Sequence, residues 1–146
     1  MTKAVAGPLV AVALAALAGA LHAQTVEQAQ ARIDARDYAA AARILEQRLQ
    51  AAPDDAQARF LLARTHAWNG EPGRALPLYE ALLSNEPDNA DYLLGYGQAL
   101  SWSGRHAQAS EVLERAQRIA PTYADIGAAL TQARAAQVAA EAPPPV

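Results

Sequence analysis

The sequence predicts an all-α solenoid: three helix-turn-helix repeats closed by one further C-terminal helix. Three observations predict it. Pro53, Pro87 and Pro121 follow one another at a constant spacing of 34 residues, and a fixed period of this size is the mark of stacked supersecondary units. Small residues return in the same register, Ala41 with Ala75 and Ala109, and Ala29 with Ala63 and Gly97. The composition is rich in alanine and only 5 % aromatic. Alanine loses no side-chain entropy on entering a helix, and strand-favouring β-branched residues are scarce.

The first element is a leader. Lys3 gives a short positive start, Leu9 to Leu21 is apolar apart from Gly19, and Leu21-His22-Ala23 offers a cleavage site ahead of Gln24. Such a core is shorter than the roughly 20 residues that span a bilayer, so a cleaved signal peptide at 1–23 is expected. The mature chain would then start at Gln24 and carry −4 rather than the formal −3, because Lys3 leaves with the leader.

The repeats follow, expected near 24–55, 56–89 and 90–123. Their first helices are apolar at helical spacing, as in Phe60, Leu61, Leu62, Ala63, Ala67 and Trp68, and so are their second helices, as in Ala75, Leu76, Leu78, Tyr79, Leu82 and Leu83. Asn69-Gly70-Glu71-Pro72 and Ser103-Gly104 break the pattern between them. Asp54 or Asp55, and Asp88 or Asn89, stand just after a proline where an N-cap is wanted. The spacing predicts helices over 25–36, 38–52, 55–69, 72–85, 89–103 and 105–120. A capping helix over 122–140 would start from a capping box in Thr122-Tyr123-Ala124-Asp125. The tail 142–146, with three consecutive prolines, is expected to be extended and disordered.

With these residues in place, the segment from about Gln24 to Pro121 resembles three tetratricopeptide-repeat (TPR) units, and the stretch after it resembles a terminal capping helix. The match has departures. The large residue usual at the fourth position is Thr25, Arg59 and Leu93, and the small residue late in the second helix is Arg48, Leu82 and Ala116. A finer resemblance rests on the repeated Trp-x-Gly turn, Trp68-Asn69-Gly70 and Trp102-Ser103-Gly104, with Pro121-Thr122-Tyr123-Ala124-Asp125 after it. It is similar to the periplasmic TPR portion of YaiO-type outer-membrane proteins and to TPR regions of exopolysaccharide-export proteins. In those an outer-membrane β-barrel follows the repeats, so this chain is expected to be a detached module.

Charge and residue chemistry narrow the function. The eleven arginines are scattered among acidic residues, without a basic block that could neutralise a run of phosphates, so nucleic acid is not an expected partner. With no cysteine there is no disulfide, thiolate zinc site or cysteine nucleophile. His66 and His106 have no second ligand at i, i+4 on one helix face, and His66 reads as a core residue, so neither metal nor cofactor is expected. Ser84, Ser101, Ser103 and Ser110 lack the glycine-bracketed turn of a nucleophile elbow. Gly95-Tyr96-Gly97 lies within a helix without the strand that a phosphate loop needs. No enzyme activity is expected.

One constellation points to binding. Phe60, Arg64 and Trp68 fall at i, i+4 and i+8 on one helix face, and the period places Leu94, Gln98 and Trp102 beside them. The resemblance implies that these six line the concave groove of the array. Tryptophan and arginine are the residues that most often carry binding energy. Chaperone-tail binding is not expected, because the lysine and asparagine of the family's carboxylate clamp are absent from these columns. The sequence therefore reads as an exported, non-catalytic adaptor that binds a protein or peptide in the cell envelope of a bacterium, in the periplasm. Envelope assembly or exopolysaccharide export is its inferred setting. The alternative is a carbohydrate-binding accessory that stacks a polysaccharide on Trp68 and Trp102. No stable membrane insertion is expected after the leader is removed.

Overall fold

The computed structural model describes residues 25–142, which form seven helical segments and no strand. The expected leader at 1–23 and nearly all of the proline-rich tail lie outside the described residues. The first helix, α1, covers 25–34. It is followed by α2 (Tyr38–Ala51), α3 (Ala56–Trp68), α4 (Pro72–Asn85), α5 (Ala90–Trp102), α6 (His106–Ile119) and α7 (Ala124–Glu141). Among the described residues no helix is long and apolar enough to cross a membrane.

The starts of these helices follow the polar residues after each break. Asp37 caps α2 by accepting from the Ala40 amide at 3.2 Å, and Asp55 caps α3 by accepting from the Ala58 amide at 2.9 Å. Asn89 caps α5 by accepting from the amides of Asp91 and Tyr92. Each such cap satisfies an amide that the helix leaves orphaned. Pro72 opens α4 at its first position, where the missing N–H costs nothing. The capping box expected for α7 does not form: the N-cap is Tyr123, with no side-chain cap bond, and the helix begins at Ala124. Its start lies one residue too late for Thr122 to reach the orphan amides, and the Tyr123 hydroxyl is used elsewhere.

The first helices end on a repeated device. Gly70 and Gly104 have φ of 79° and 77°. The Gly70 amide donates to Ala67 O and the Glu71 amide to His66 O, while the Gly104 and Arg105 amides donate to Ser101 O and Leu100 O. This pair of bonds around a left-handed residue is the Schellman ending. It fixes Trp68 and Trp102 as the last residues of α3 and α5.

Consecutive helices pack as antiparallel pairs from α2 to α7. In addition α3 packs on α5 and α5 on α7, whereas α2, α4 and α6 do not touch one another to that extent. The array therefore curves with the first helices of each unit on its inner side. The repeated small residues are what permit the close approach. Ala29, Ala41, Ala63, Ala75 and Ala109 are fully buried. At Gly97 a Cβ would come within 2.5 Å of Leu113 Cγ, and at Gly95 within 2.4 Å of the Tyr79 hydroxyl. Around them Leu45, Leu82, Leu93, Leu100, Leu113 and Ile126 are sealed from solvent, each contributing about 1.5–3 kcal/mol by leaving water.

Two of the departures from the repeat pattern, Arg48 and Arg59, have local explanations. Arg48 is too long for the small position late in α2, so its stem packs while Nε donates to Asp55 Oδ2 at 2.9 Å, tying the end of α2 to the cap of α3. Arg59 turns its guanidinium to the Pro53 carbonyl.

Candidate binding groove

Trp68 and Trp102 occupy the last position of their helices, and a helical side chain leans back over the preceding turn. Residue i−4 is therefore placed to come under the ring. Beneath Trp68 that residue is Arg64, whose guanidinium carbon lies 4.5 Å from the indole centroid and 5.5 Å from the Phe60 ring. Tyr38 approaches the same indole with centroids 6.4 Å apart. Phe60 in turn lies 5.1 Å from Tyr92 and 6.2 Å from Tyr79. The aromatic column on α3 is thus packed against α4 and α5 at one end and open at the other, where Trp68 is 39 % exposed.

The six residues expected to share a face are brought together. Phe60, Arg64, Trp68, Leu94, Gln98 and Trp102 all line one groove of about 470 Å³, formed by α3, α5 and the start of α7. The size falls within the range of ligand-binding clefts. Leu94 and Phe60 are drawn into its base, and Trp102 is 52 % exposed at its rim.

The structure adds groove residues that the sequence reading did not select: Tyr79, Asp91, Gly95, Tyr123 and Asp125. Asp91 and Asp125 are 34 residues apart, so the period itself carried the signal. Of the two, the sequence reading named only Asp125, in the capping box expected at the start of α7. The Tyr123 hydroxyl donates to Asp91 Oδ1 at 2.9 Å, joining the start of α7 to α5. That hydrogen bond to a carboxylate, ahead of burial and the nearby acidic charges, raises the Tyr123 phenol above its ordinary range. Burial pushes the Tyr79 phenol up much further, opposed in part by the Arg64 charge.

The other chemically capable residues are used in packing. His66 is buried, with Nδ1 3.1 Å from Glu71 Oε2 and Nε2 3.7 Å from Glu46 Oε1. Arg74 bridges the same two carboxylates at 3.3 Å and 3.0 Å. Hydrogen bonds from Asn69 and His66 hold the Glu71 carboxyl below its usual range. His106 is half-buried beside Ser101. The hydroxyls of Ser84, Ser103 and Ser110 donate to carbonyls of the preceding helical turn.

Comparison with known proteins agrees with this architecture. The tetratricopeptide-repeat family model matches residues 32–73 and 68–133, well over half of the chain. The chain belongs to the tetratricopeptide-repeat family. Among solved structures it is similar to the P58(IPK) TPR domain, with a TM-score of 0.73 at 18 % identity over 82 % of this chain and 34 % of that one. It is similar to an O-GlcNAc transferase of Thermobaculum terrenum, with a TM-score of 0.72 at 27 % identity over 79 % of this chain and 22 % of that one. It is also similar to the second TPR domain of human RPAP3, which is in complex with an HSP70 peptide, with a TM-score of 0.70 at 12 % identity over 75 % of this chain and 92 % of that one. The TPR array described here thus spans about a third or less of the first two chains. No curated protein matches the sequence.

Proposed function

We propose that this TPR protein is a non-catalytic scaffold whose groove holds an extended or helical segment of a protein partner. One observation carries the reading: six residues selected by the repeat register line a single cleft with two exposed tryptophans and the Arg64 guanidinium. Apolar anchors of a partner would be buried against the indoles, while the outer N–H groups of Arg64 meet a carbonyl or carboxylate. The RPAP3 domain complexed with an HSP70 peptide has the same fold.

The test compares Arg64→Ala with Trp68→Ala on a partner captured from an envelope extract. Arg64→Ala should weaken it by about 1–2 kcal/mol, with a smaller loss of thermal stability from the stacking of its guanidinium on Trp68 and Phe60. Trp68→Ala should weaken binding and stability together, since its ring packs on Tyr38 and Arg64. Wild-type affinity in Arg64→Ala, with Trp68→Ala losing only stability, would remove the groove as the site. A change of tryptophan emission with oligosaccharide but with no protein segment would favour the carbohydrate reading instead.

The setting proposed for this scaffold is the periplasm, in envelope assembly or polysaccharide export, on the strength of the leader pattern in Lys3 to Ala23 and the Trp-x-Gly turns. The intact mass of the protein in a periplasmic fraction should correspond to a chain beginning at Gln24. Uncleaved protein in the cytoplasm would contradict it.

A further inference from the structure

The groove has a neighbour on the other side of Trp68. A second cavity of about 500 Å³ opens between α1 and α3, and Gln30, Asp34, Arg36, Tyr38, Arg64 and Trp68 line it. All six meet at one end of the array. Gln30 and Asp34 lie on the last turn of α1, Arg36 and Tyr38 in the turn and at the start of α2, and Arg64 and Trp68 on the last two turns of α3. The Tyr38 and Trp68 rings, with centroids 6.4 Å apart, join the two walls. Arg64 and Trp68 line both cavities, so a chain lying in the groove can pass over them into the second.

The charge of this second cavity is positive. Neither the Arg36 nor the Arg64 guanidinium forms a hydrogen bond or an ion pair among the described residues. Arg64 turns its face to the Trp68 indole at 4.5 Å, and a stacked guanidinium keeps its in-plane N–H groups available for a carboxylate. Asp34, the carboxylate among the lining residues, accepts from Gln30 Nε2 at 2.8 Å. Arg32 and Asp37 stand just outside and pair with each other at 3.5 Å. Two cations against one carboxylate leave an excess of one positive charge. A helix C-terminus disfavours an anion, but here carbonyls of the last turns of α1 and α3 are taken up by the amides of Arg36, Asp37, Gly70 and Glu71.

A backbone feature points to the same place independently. Arg36 has a φ of 58°, while one and two periods later Gly70 and Gly104 make the equivalent turn with no side chain. Glycine closes such a turn without steric cost. The arginine strains it and sets a guanidinium on the cavity wall, and strained non-glycine residues gather at ligand clamps.

We propose, resting on the groove reading above, that the partner segment carries an acidic side chain, which this second cavity receives. The segment lies in the groove and crosses Trp68. Its aspartate or glutamate carboxylate then accepts from the in-plane N–H groups of Arg64 on one wall and from Arg36 on the other. The Tyr38 and Trp68 rings shield the pair from water, which strengthens a charge-assisted hydrogen bond.

The experiment uses the full chain and short peptide pools blocked at both ends. Each pool carries a central glutamate, glutamine or lysine between randomised neighbours, and affinity is read from the anisotropy of a fluorescent label on the peptide. The glutamate pool should bind about tenfold more tightly than the glutamine pool, the lysine pool more weakly than either, and added salt should narrow the gap. Arg36→Gly should bind the glutamate and glutamine pools alike while its thermal transition stays at or above that of the unsubstituted protein, so that lost affinity is not lost folding. Arg36→Lys, which keeps the charge without the planar fork, should retain part of the preference. A glutamine pool left with a free C-terminal carboxylate should gain nothing. A gain that matches the glutamate pool assigns the cations to a chain terminus and overturns the inference. Equal binding of the glutamate and glutamine pools by the unsubstituted protein overturns it too, as does a preference for lysine or a glutamate preference untouched by Arg36→Gly. Trp102, which lines the groove alone, separates the two readings. If the inference is overturned while Trp102→Ala still weakens a captured partner, only the acidic-segment inference falls. If Trp102→Ala binds like the unsubstituted protein, the groove falls with it.

Discussion

Arg36 stands in the left-handed region, with φ of 58°, the only non-glycine residue with positive φ among those described. Its amide donates to Ile33 O and the Asp37 amide to Arg32 O, the same ending that Gly70 and Gly104 give to α3 and α5. One period separates Arg36 from Gly70 and Gly70 from Gly104, so the first unit performs this turn with a side chain where the other two have none. A Cβ in that conformation costs roughly 1–2 kcal/mol, partly offset because glycine gives more freedom to the unfolded chain. Arg36→Gly should therefore raise stability by about 0.5–1 kcal/mol, seen as a rise of a few degrees in Tm. Gly70→Ala, although no atom lies within 4 Å of its would-be Cβ, should lower stability through strain alone. A neutral result for both substitutions would show that this backbone ending carries no cost.

At the scale of the helix, the sequence was read correctly where local signals agreed. The proline period, the two glycine breakers and the polar pairs Asp54–Asp55 and Asp88–Asn89, of which the second member of each is the cap, placed α3 to α6 to within a residue or two, because capping and left-handed turns depend on few neighbours. The start of α7 was misplaced because Thr122 and Asp125 satisfy a capping box by spacing, while the competing bond from Tyr123 to Asp91 crosses to α5. That contact is invisible to any local pattern. The groove divides in the same way. Phe60, Arg64 and Trp68 share a face by helix geometry alone, and the period adds Leu94, Gln98 and Trp102. Asp91 and Asp125 stand one period apart, but only Asp125 was singled out, and its place in a capping box explained it too easily. Tyr79 was out of reach. It comes from the apolar face of a second helix, and only the absence of a side chain at Gly95 lets its hydroxyl reach the cleft. The indoles themselves combine both roles, since Trp68 packs on Tyr38 and Arg64 while remaining partly open.

Over the whole array the buried side chains fall into two clusters. One runs from Ala63 to Ala133 and contains Tyr79, Leu82, Leu93, Leu100, Leu113, Ile126 and Leu130. The other is smaller and joins Ala29, Ile33, Ala41, Leu45, Ala58, Leu61 and Leu62. Leu78 packs against both. In a solenoid each unit is stabilised by its own packing and its nearest neighbours, so stability need not be uniform along the stack. The same end of the array carries the left-handed Arg36 turn and the largely buried Arg48, whose Nη2 is enclosed without a partner. These features place the low-stability end at α1 and α2, away from the groove formed by α3, α5 and α7. Leu45→Ala should cost about 2–5 kcal/mol and should speed amide exchange mainly in residues 25–62. Amides of α5 and α6 should remain close to wild type if the larger cluster opens separately. Binding at the groove should weaken only on its α3 side, where Phe60 lies within the loosened stretch and Trp68 rests on Tyr38 of α2, while Leu94 and Tyr79 stay held by the larger cluster. Exchange that accelerates equally from α1 to α7 would mean that the array unfolds as one cooperative unit, and the division of the core would then have no energetic meaning.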